Sequence, residues 1–253
     1  MSKIISVAVR KGGSLKTTST LNIGYCLAKM DYKVLLLDFD PQADLTTSLG
    51  CTPEMAETNN IYQTMRTNEL SIVKINDNIS YIPSFEDLDD AESVFANQLA
   101  KESMLKRILD TVKQDFDFIL IDCPPSTGFL TRNALVASDF VLIPMQTQPY
   151  ALKGFGKMLK KVDEIKKLVN PNLETLGVFG TMFEKTRIID KQVMDSLQNQ
   201  HPDLVFHNII RKGVALVEAG ASSQDIFSYD QNSKGAEDYY NLTLEILDRI
   251  TKN

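Results

Sequence analysis

The chain has 253 residues, of which 43% are apolar and 24% charged, with a formal net charge of -6. That length buries one large core and allows one domain or two, in a composition ordinary for a globular protein and unlike a disordered or fibrous one. A negative balance gives no overall attraction to nucleic acid, so any such binding has to come from a local basic patch, and the longest apolar runs fall short of a membrane span.

A strand is predicted at 3–9, followed by a helix over 16–30 and a second strand, "KVLLLD", at 33–38. Residues 51–78 give no clear period; a strand follows at 79–82 and a broken helical stretch over 86–114. Strands at 117–122 and 140–144 enclose a helix at 127–138, and a helix at 150–168 leads to a strand at 175–182. A helix at 188–199, a strand at 205–210 and a helix at 233–251 complete the chain. Several strands are apolar throughout, as in a parallel sheet covered on both faces. Strand and helix alternating in this way predict an α/β fold with a doubly wound, mostly parallel sheet and helices on both faces. With no Pro/Gly/Ser-rich linker and no repeat, one domain over 1–253 is expected.

Ligands of such sheets bind outside the carboxyl ends of the strands, and the chemically suggestive residues fall there. After the first strand comes "KGGSLKTT", Lys11 to Thr18. A helix starting near Lys16 aims its amides and positive end at this loop, and Gly12 and Gly13 admit phosphate oxygens close to the backbone. Lys16 offers a point charge for outer phosphates, and the Thr17 hydroxyl can ligate Mg2+. Asp38 and Asp40 close the second strand in "LLLDFDPQ", and Asp122 closes "FILID". One such Asp is often a helix cap, and the loop by itself could be a plain turn. Three carboxylates beside a Lys-Thr loop are better explained by Mg2+ and water positioning for phosphoryl transfer.

"KGGSLKTTSTLNIG", "VLLLDFDPQADLTTSLG", "DCPPSTGFLTRNALVASDFVLIPMQTQPYALKGF" and "YDQNSKGAEDY" resemble the ParA-type partition ATPases, the MinD/ParA branch of the P-loop NTPases. The resemblance runs from Lys3 to about Leu247 and is to the short members that begin at the first strand. It implies an ATP- and Mg2+-dependent hydrolase of the P-loop type that forms a homodimer sandwiching ATP. It also implies non-specific DNA binding and a ParB-type centromere-binding partner, in plasmid or chromosome partition. By that resemblance Lys11 reaches the partner subunit's ATP, Lys16 holds the β- and γ-phosphates, and Thr17 holds Mg2+. Asp40 orients the attacking water, with Asp38 and Asp122 supporting the metal shell. Gly12, Gly13, Ser14, Leu15 and Thr18 complete the nucleotide loop, and Arg211 and Gly213 fall where the family contacts adenine.

The family has glycine where this chain has Leu15. A left-handed L-residue costs roughly 1–2 kcal/mol, about a tenfold loss of affinity, and an isobutyl group aimed at the γ-phosphate would block it. Leu15 is therefore expected to weaken ATP binding or slow turnover. The alternative is a nucleotide-gated or nucleotide-defective DNA-binding scaffold with negligible hydrolysis.

The DNA candidates are Lys185, Arg187, Arg211 and Lys212, and the helix carrying Lys153, Lys157, Lys160, Lys161, Lys166 and Lys167. Such lysines can equally be a solvated helix face. Thr186 and Ala215 stand where family members commonly carry arginine. The last helix places Tyr239, Leu242, Ile246 and Ile250 at helical spacing among acidic residues, which reads as core packing with no membrane contact. Cys26, Cys51 and Cys123 lie far apart without a CxxC pair, and no secretory leader is evident; both fit a cytoplasmic protein, nucleoid-associated if it binds DNA. Cys123, Met145, Met158 and Met182 are expected in the core.

Overall fold

A computed structural model describes residues 2–148 and 151–252. Its elements in chain order begin with β1 (Lys3–Val7), α1 (Lys16–Lys29), β2 (Val34–Asp38), α2 (Asp44–Ser48), α3 (Pro53–Thr58) and α4 (Ile61–Thr67). Next come β3 (Val73–Lys74), β4 (Ile79–Ile82), α5 (Ala91–Val94), α6 (Met104–Asp110), β5 (Phe118–Asp122) and α7 (Phe129–Ala137). The chain continues with β6 (Phe140–Gln146), α8 (Ala151–Leu168), β7 (Glu174–Thr181), α9 (Ile188–Gln200), α10 (Val214–Ala221), α11 (Ile226–Asp230) and α12 (Lys234–Lys252). The expected start of α8 at 150 lies outside the described residues.

Among the described residues the strands form one sheet in the order β3-β4-β2-β5-β1-β6-β7. All pairings are parallel except the short β3–β4 hairpin edge. This is the doubly wound, mostly parallel α/β sheet the alternation predicts. The two-residue period of each strand divides the core. Leu35, Leu37, Ile119, Ile121, Val141 and Ile143 face α4, α6, α7 and α8. Leu36, Leu120 and Leu142 point the other way, toward α1, α10, α11 and α12. Helix α1 lies so close to the sheet that a Cβ at Gly24 would come within 2.5 Å of a Leu36 methyl, which explains glycine there. Tyr239, Leu242, Ile246 and Ile250 of α12 are buried, as the helical spacing implies.

One local expectation changes, and two open stretches are resolved. The 86–114 stretch is indeed broken, into 3-10 turns plus α5 and α6. Residues 51–78 hold two short helices, capped by the Thr52 and Asn60 side chains, and β3. Residues 205–210 form no ladder strand: they run beside β7 with isolated bridges at Val178–Val205 and Phe183–Arg211. Phe206 and Ile210 donate to the Val178 and Gly180 carbonyls of β7, but between them Glu245 of α12 accepts from the backbone N–H of His207 at 2.9 Å and of Asn208 at 3.0 Å, which interrupts the ladder. Arg249 of α12 donates to the carbonyls of Leu176 and Asp203 and stacks on Phe206, 3.9 Å from the ring centre.

Candidate functional site

The sheet register assembles the site. Asp38 pairs with Asp122 across β2 and β5, and Asp122 pairs with Val7 across β5 and β1, so both carboxylates sit beside the loop leaving β1. That loop turns at Gly13 (φ 75°) and Leu15 (φ 59°, ψ 31°), both left-handed, and then enters α1. No side chain caps the start of α1, so its first amides face the loop itself. A Cβ on Gly12 or Gly13 would meet nothing within 4 Å, which leaves open space over the loop backbone.

Lys16 is buried and places its Nζ 3.2 Å from Asp122 Oδ1 and 3.4 Å from Asp40 Oδ2. Thr17 donates its hydroxyl to Asp122 Oδ2 at 2.7 Å, and Thr20, one turn further along α1, donates to Asp122 Oδ1 at 3.3 Å. Burial pulls the Lys16 ammonium toward neutrality, but the Asp122 and Asp40 carboxylates outweigh it and hold the proton more firmly than usual. Burial raises the Asp122 carboxyl, opposed by Lys16 and Thr17.

Asp38 is fully buried and engaged one layer behind. Its Oδ2 accepts from the Thr46 amide at 2.8 Å and the Thr46 hydroxyl at 2.7 Å, and its Oδ1 from the Asp40 amide at 3.2 Å. The Thr46 hydroxyl in turn accepts from Ser84 N–H at 2.8 Å, and the Ser84 hydroxyl donates to the Asp40 carbonyl at 2.7 Å. Burial, then the nearby Asp122 charge, push Asp38 up to about 7. This chain of bonds fixes the turn that carries Asp40. Thr46 lies within the "VLLLDFDPQADLTTSLG" stretch, but nothing in the sequence assigns it or Ser84 this role; Thr20 is readable, being four residues from Lys16 on the same helix face.

Lys11 is exposed and donates to the side chain of Gln148 in the same chain. Ser14 is buried and donates its hydroxyl to the Lys11 carbonyl at 3.2 Å. Leu15 and Thr18 line a cavity of about 510 Å³ that also takes in Met182, Arg211, Gly213 and Val214. Lys16, Thr17, Asp40 and Asp122 do not line it, and Leu15 packs against the apolar cluster that includes Leu216 and Ala219 of α10, away from the charged cluster. Arg211 and Gly213 line the same cavity as Leu15 and Thr18, and the Arg211 guanidinium is bound to Asp238 (2.8 and 3.0 Å) and to Glu237 (2.6 Å). Met182 is therefore half-buried on a cavity wall, whereas Met145 and Met158 are core as expected. Cys123 is fully buried, its thiol pushed up to about 12 by burial, as suits core filling.

Of the DNA candidates, Lys185 is exposed; Arg187 pairs with Glu184 (3.5 Å), and Lys212 pairs with Glu184 (3.1 Å). Helix α8 buries Phe155, Met158, Val162 and Ile165 and leaves Lys153, Lys157, Lys160, Lys166 and Lys167 exposed.

The oxygen donors suit a small hard cation. Thr17 and Asp122 supply a hydroxyl and a carboxylate on one spot, and Mg2+ characteristically takes one or two protein oxygens and fills the rest with water and phosphate.

A sequence model of the AAA domain family matches residues 2–175. The sporulation initiation inhibitor protein Soj of Bacillus subtilis is 38% identical over 97% of this chain and 98% of its own length. The chromosome partitioning protein ParA of Myxococcus xanthus is 35% identical over 98% of this chain and 89% of its own. Among solved structures, cobyrinic acid a,c-diamide synthase from Mycobacterium smegmatis, with a bound ATP analogue and magnesium, superposes with a TM-score of 0.86 at 29% identity. That superposition covers 99% of this chain and 96% of the other.

Proposed function

The chain belongs to the ParA/Soj-type partition ATPases, and on that premise we propose that it hydrolyses ATP with Mg2+, dimerises around bound ATP, and drives plasmid or chromosome partition. The observation that carries this reading is the meeting of Lys16, Thr17, Asp40 and Asp122 at the start of α1, within 3.4 Å of one another along the chain of contacts.

The two carboxylates now paired with Lys16 hold its ammonium protonated and near the loop mouth; a triphosphate competes for the same donor with more charge and better geometry. The open amides of α1 and the bare backbone at Gly12 and Gly13 bind phosphate oxygens. Thr17 and Asp122 would hold Mg2+, which would neutralise charge building on the phosphates. Asp40, fixed through Asp38, Thr46 and Ser84, presents its carboxylate to orient a water. Lys11, exposed beside the loop, reaches a second copy when it leaves Gln148.

A non-catalytic scaffold was the alternative, motivated by a blocking Leu15. The direction of that side chain, toward Arg211 and Gly213, favours the catalytic reading. DNA binding without sequence preference is assigned to the exposed lysines of α8 together with Lys185, since Arg187, Arg211 and Lys212 already serve ion pairs. A ParB-type partner and a cytoplasmic, nucleoid-associated location complete the reading. No helix among the described residues is long and apolar enough to cross a membrane.

The test is a titration with ATP, with and without Mg2+, followed by mass determination in solution. Saturable binding and a doubling of mass support the proposal. No binding at millimolar ATP refutes it.

A further inference from the structure

Leu15 stands where the sequence resemblance calls for glycine, and it adopts the left-handed conformation that glycine would take at less cost. Met182 shares that conformation (φ 53°) and lines the same cavity. The two segments are bound together, because the Thr181 hydroxyl donates to the Ser14 carbonyl at 3.2 Å. Gln146 Nε2 lies 3.4 Å from the Met182 sulfur and holds that side chain in place. Two apolar residues in a costly backbone conformation, on one wall of one cavity, point to a function for that wall.

The cavity has the size and character of a small-molecule site, at about 510 Å³. Val214 and Val217 of α10, both mostly exposed, also line it, as do Arg211 to Gly213, the Arg211 and Lys212 amides being already bonded to Asp238 and to the Phe183 carbonyl. It begins one residue before Lys16 and excludes the charged cluster. A triphosphate on the loop would therefore direct its nucleoside into this space. Resting on the ATPase reading above, we propose that the Leu15 and Met182 side chains form the apolar surface against which the base and ribose of the bound nucleotide pack, so that Leu15 strengthens nucleotide binding.

The test separates nucleoside from phosphate. Dissociation constants for Mg-ATP, Mg-ADP and Mg-tripolyphosphate are measured on wild type, Leu15→Ala, Leu15→Gly and Leu15→Met. Loss of the isobutyl group should weaken ATP and ADP binding about tenfold, as expected for one apolar side chain withdrawn from a ligand. Tripolyphosphate affinity should stay within about twofold, and Leu15→Met, which keeps apolar reach, should stay near wild type. A role confined to loop conformation would move ATP and tripolyphosphate together, which overturns the proposal. Equal or tighter ATP binding by Leu15→Ala and Leu15→Gly, in a background where wild type binds ATP, overturns it while leaving the ATPase reading intact. Failure of wild type and every variant to bind ATP removes both.

Discussion

Replacing Thr46 with valine removes one hydroxyl at nearly constant volume, from a residue 2% exposed. That hydroxyl donates to Asp38 Oδ2 at 2.7 Å and accepts from Ser84 N–H at 2.8 Å, and both partners are fully buried. An orphaned buried N–H costs about 1–3 kcal/mol, and a lost hydrogen bond to a carboxylate about 1.5–3 kcal/mol. The two do not add in full: Asp38 keeps the Thr46 amide and, being pushed up to about 7, can relax by holding a proton. The expected destabilisation is about 3 kcal/mol, or a melting temperature lower by about 6–12 °C for a chain of this size. Thr46→Ser keeps the hydroxyl, loses a methyl group and should cost about 1 kcal/mol. Denaturant titration of the ligand-free proteins at pH 7.5 reads the difference, and steady-state hydrolysis should show kcat falling more than KM rises as the Asp40 turn loosens. If Thr46→Val and Thr46→Ser unfold within about 0.5 kcal/mol of each other, the hydrogen-bond chain does not hold the site.

Asp40→Asn should keep ATP affinity within about threefold and lower turnover by about a hundredfold or more, read by single-turnover hydrolysis; full turnover would remove Asp40 from water positioning. Lys11→Ala, at an exposed position, should leave the melting temperature within about 1 °C but abolish the ATP-dependent rise in mass, and a dimer surviving the substitution counts against the sandwich. Substituting Lys153, Lys157 and Lys160 of α8 together should reduce the slope of log affinity against log salt for duplex DNA by about 2.7; an unchanged slope places the DNA surface elsewhere. Because Asp38 is pushed up to about 7, above the ordinary carboxylate range, the folded protein holds that proton more tightly than the unfolded chain does. Its stabilising contribution is present below about pH 4 and is lost as pH rises through 7, so ligand-free stability should fall from pH 5 to 8 and Asp38→Asn should flatten the slope. Equal slopes in the two proteins would show that Asp38 titrates normally.

The strands bearing Asp38 and Asp122 were legible because a fully covered parallel strand is apolar throughout and ends abruptly in a charged residue. The loop was legible because Lys16 and Thr17 need a fixed spacing. The network behind Asp38 was not, since Thr46 and Ser84 act through tertiary contacts that leave no period. Residues 205–210 misled for a related reason: "VFHNII" has strand chemistry, but Glu245 and Arg249, some 40 residues away, take up its backbone groups. The effect of Leu15 also required structure. Sequence shows that a side chain is present where glycine is expected, while only the fold shows which side of the loop it occupies.

The flanks of the sheet constrain how copies of this chain can meet. One margin is β3, two residues long, antiparallel and followed by an exposed Ile75. The other, β7, is already overlaid by the 205–211 segment, which Arg249 fastens down through the Val205 carbonyl. Neither margin offers a long row of unpaired backbone groups, so growth by strand addition into ribbons is disfavoured. Association is left to faces made of side chains and loops, and a contact made there can be broken when the chemistry at the loop changes.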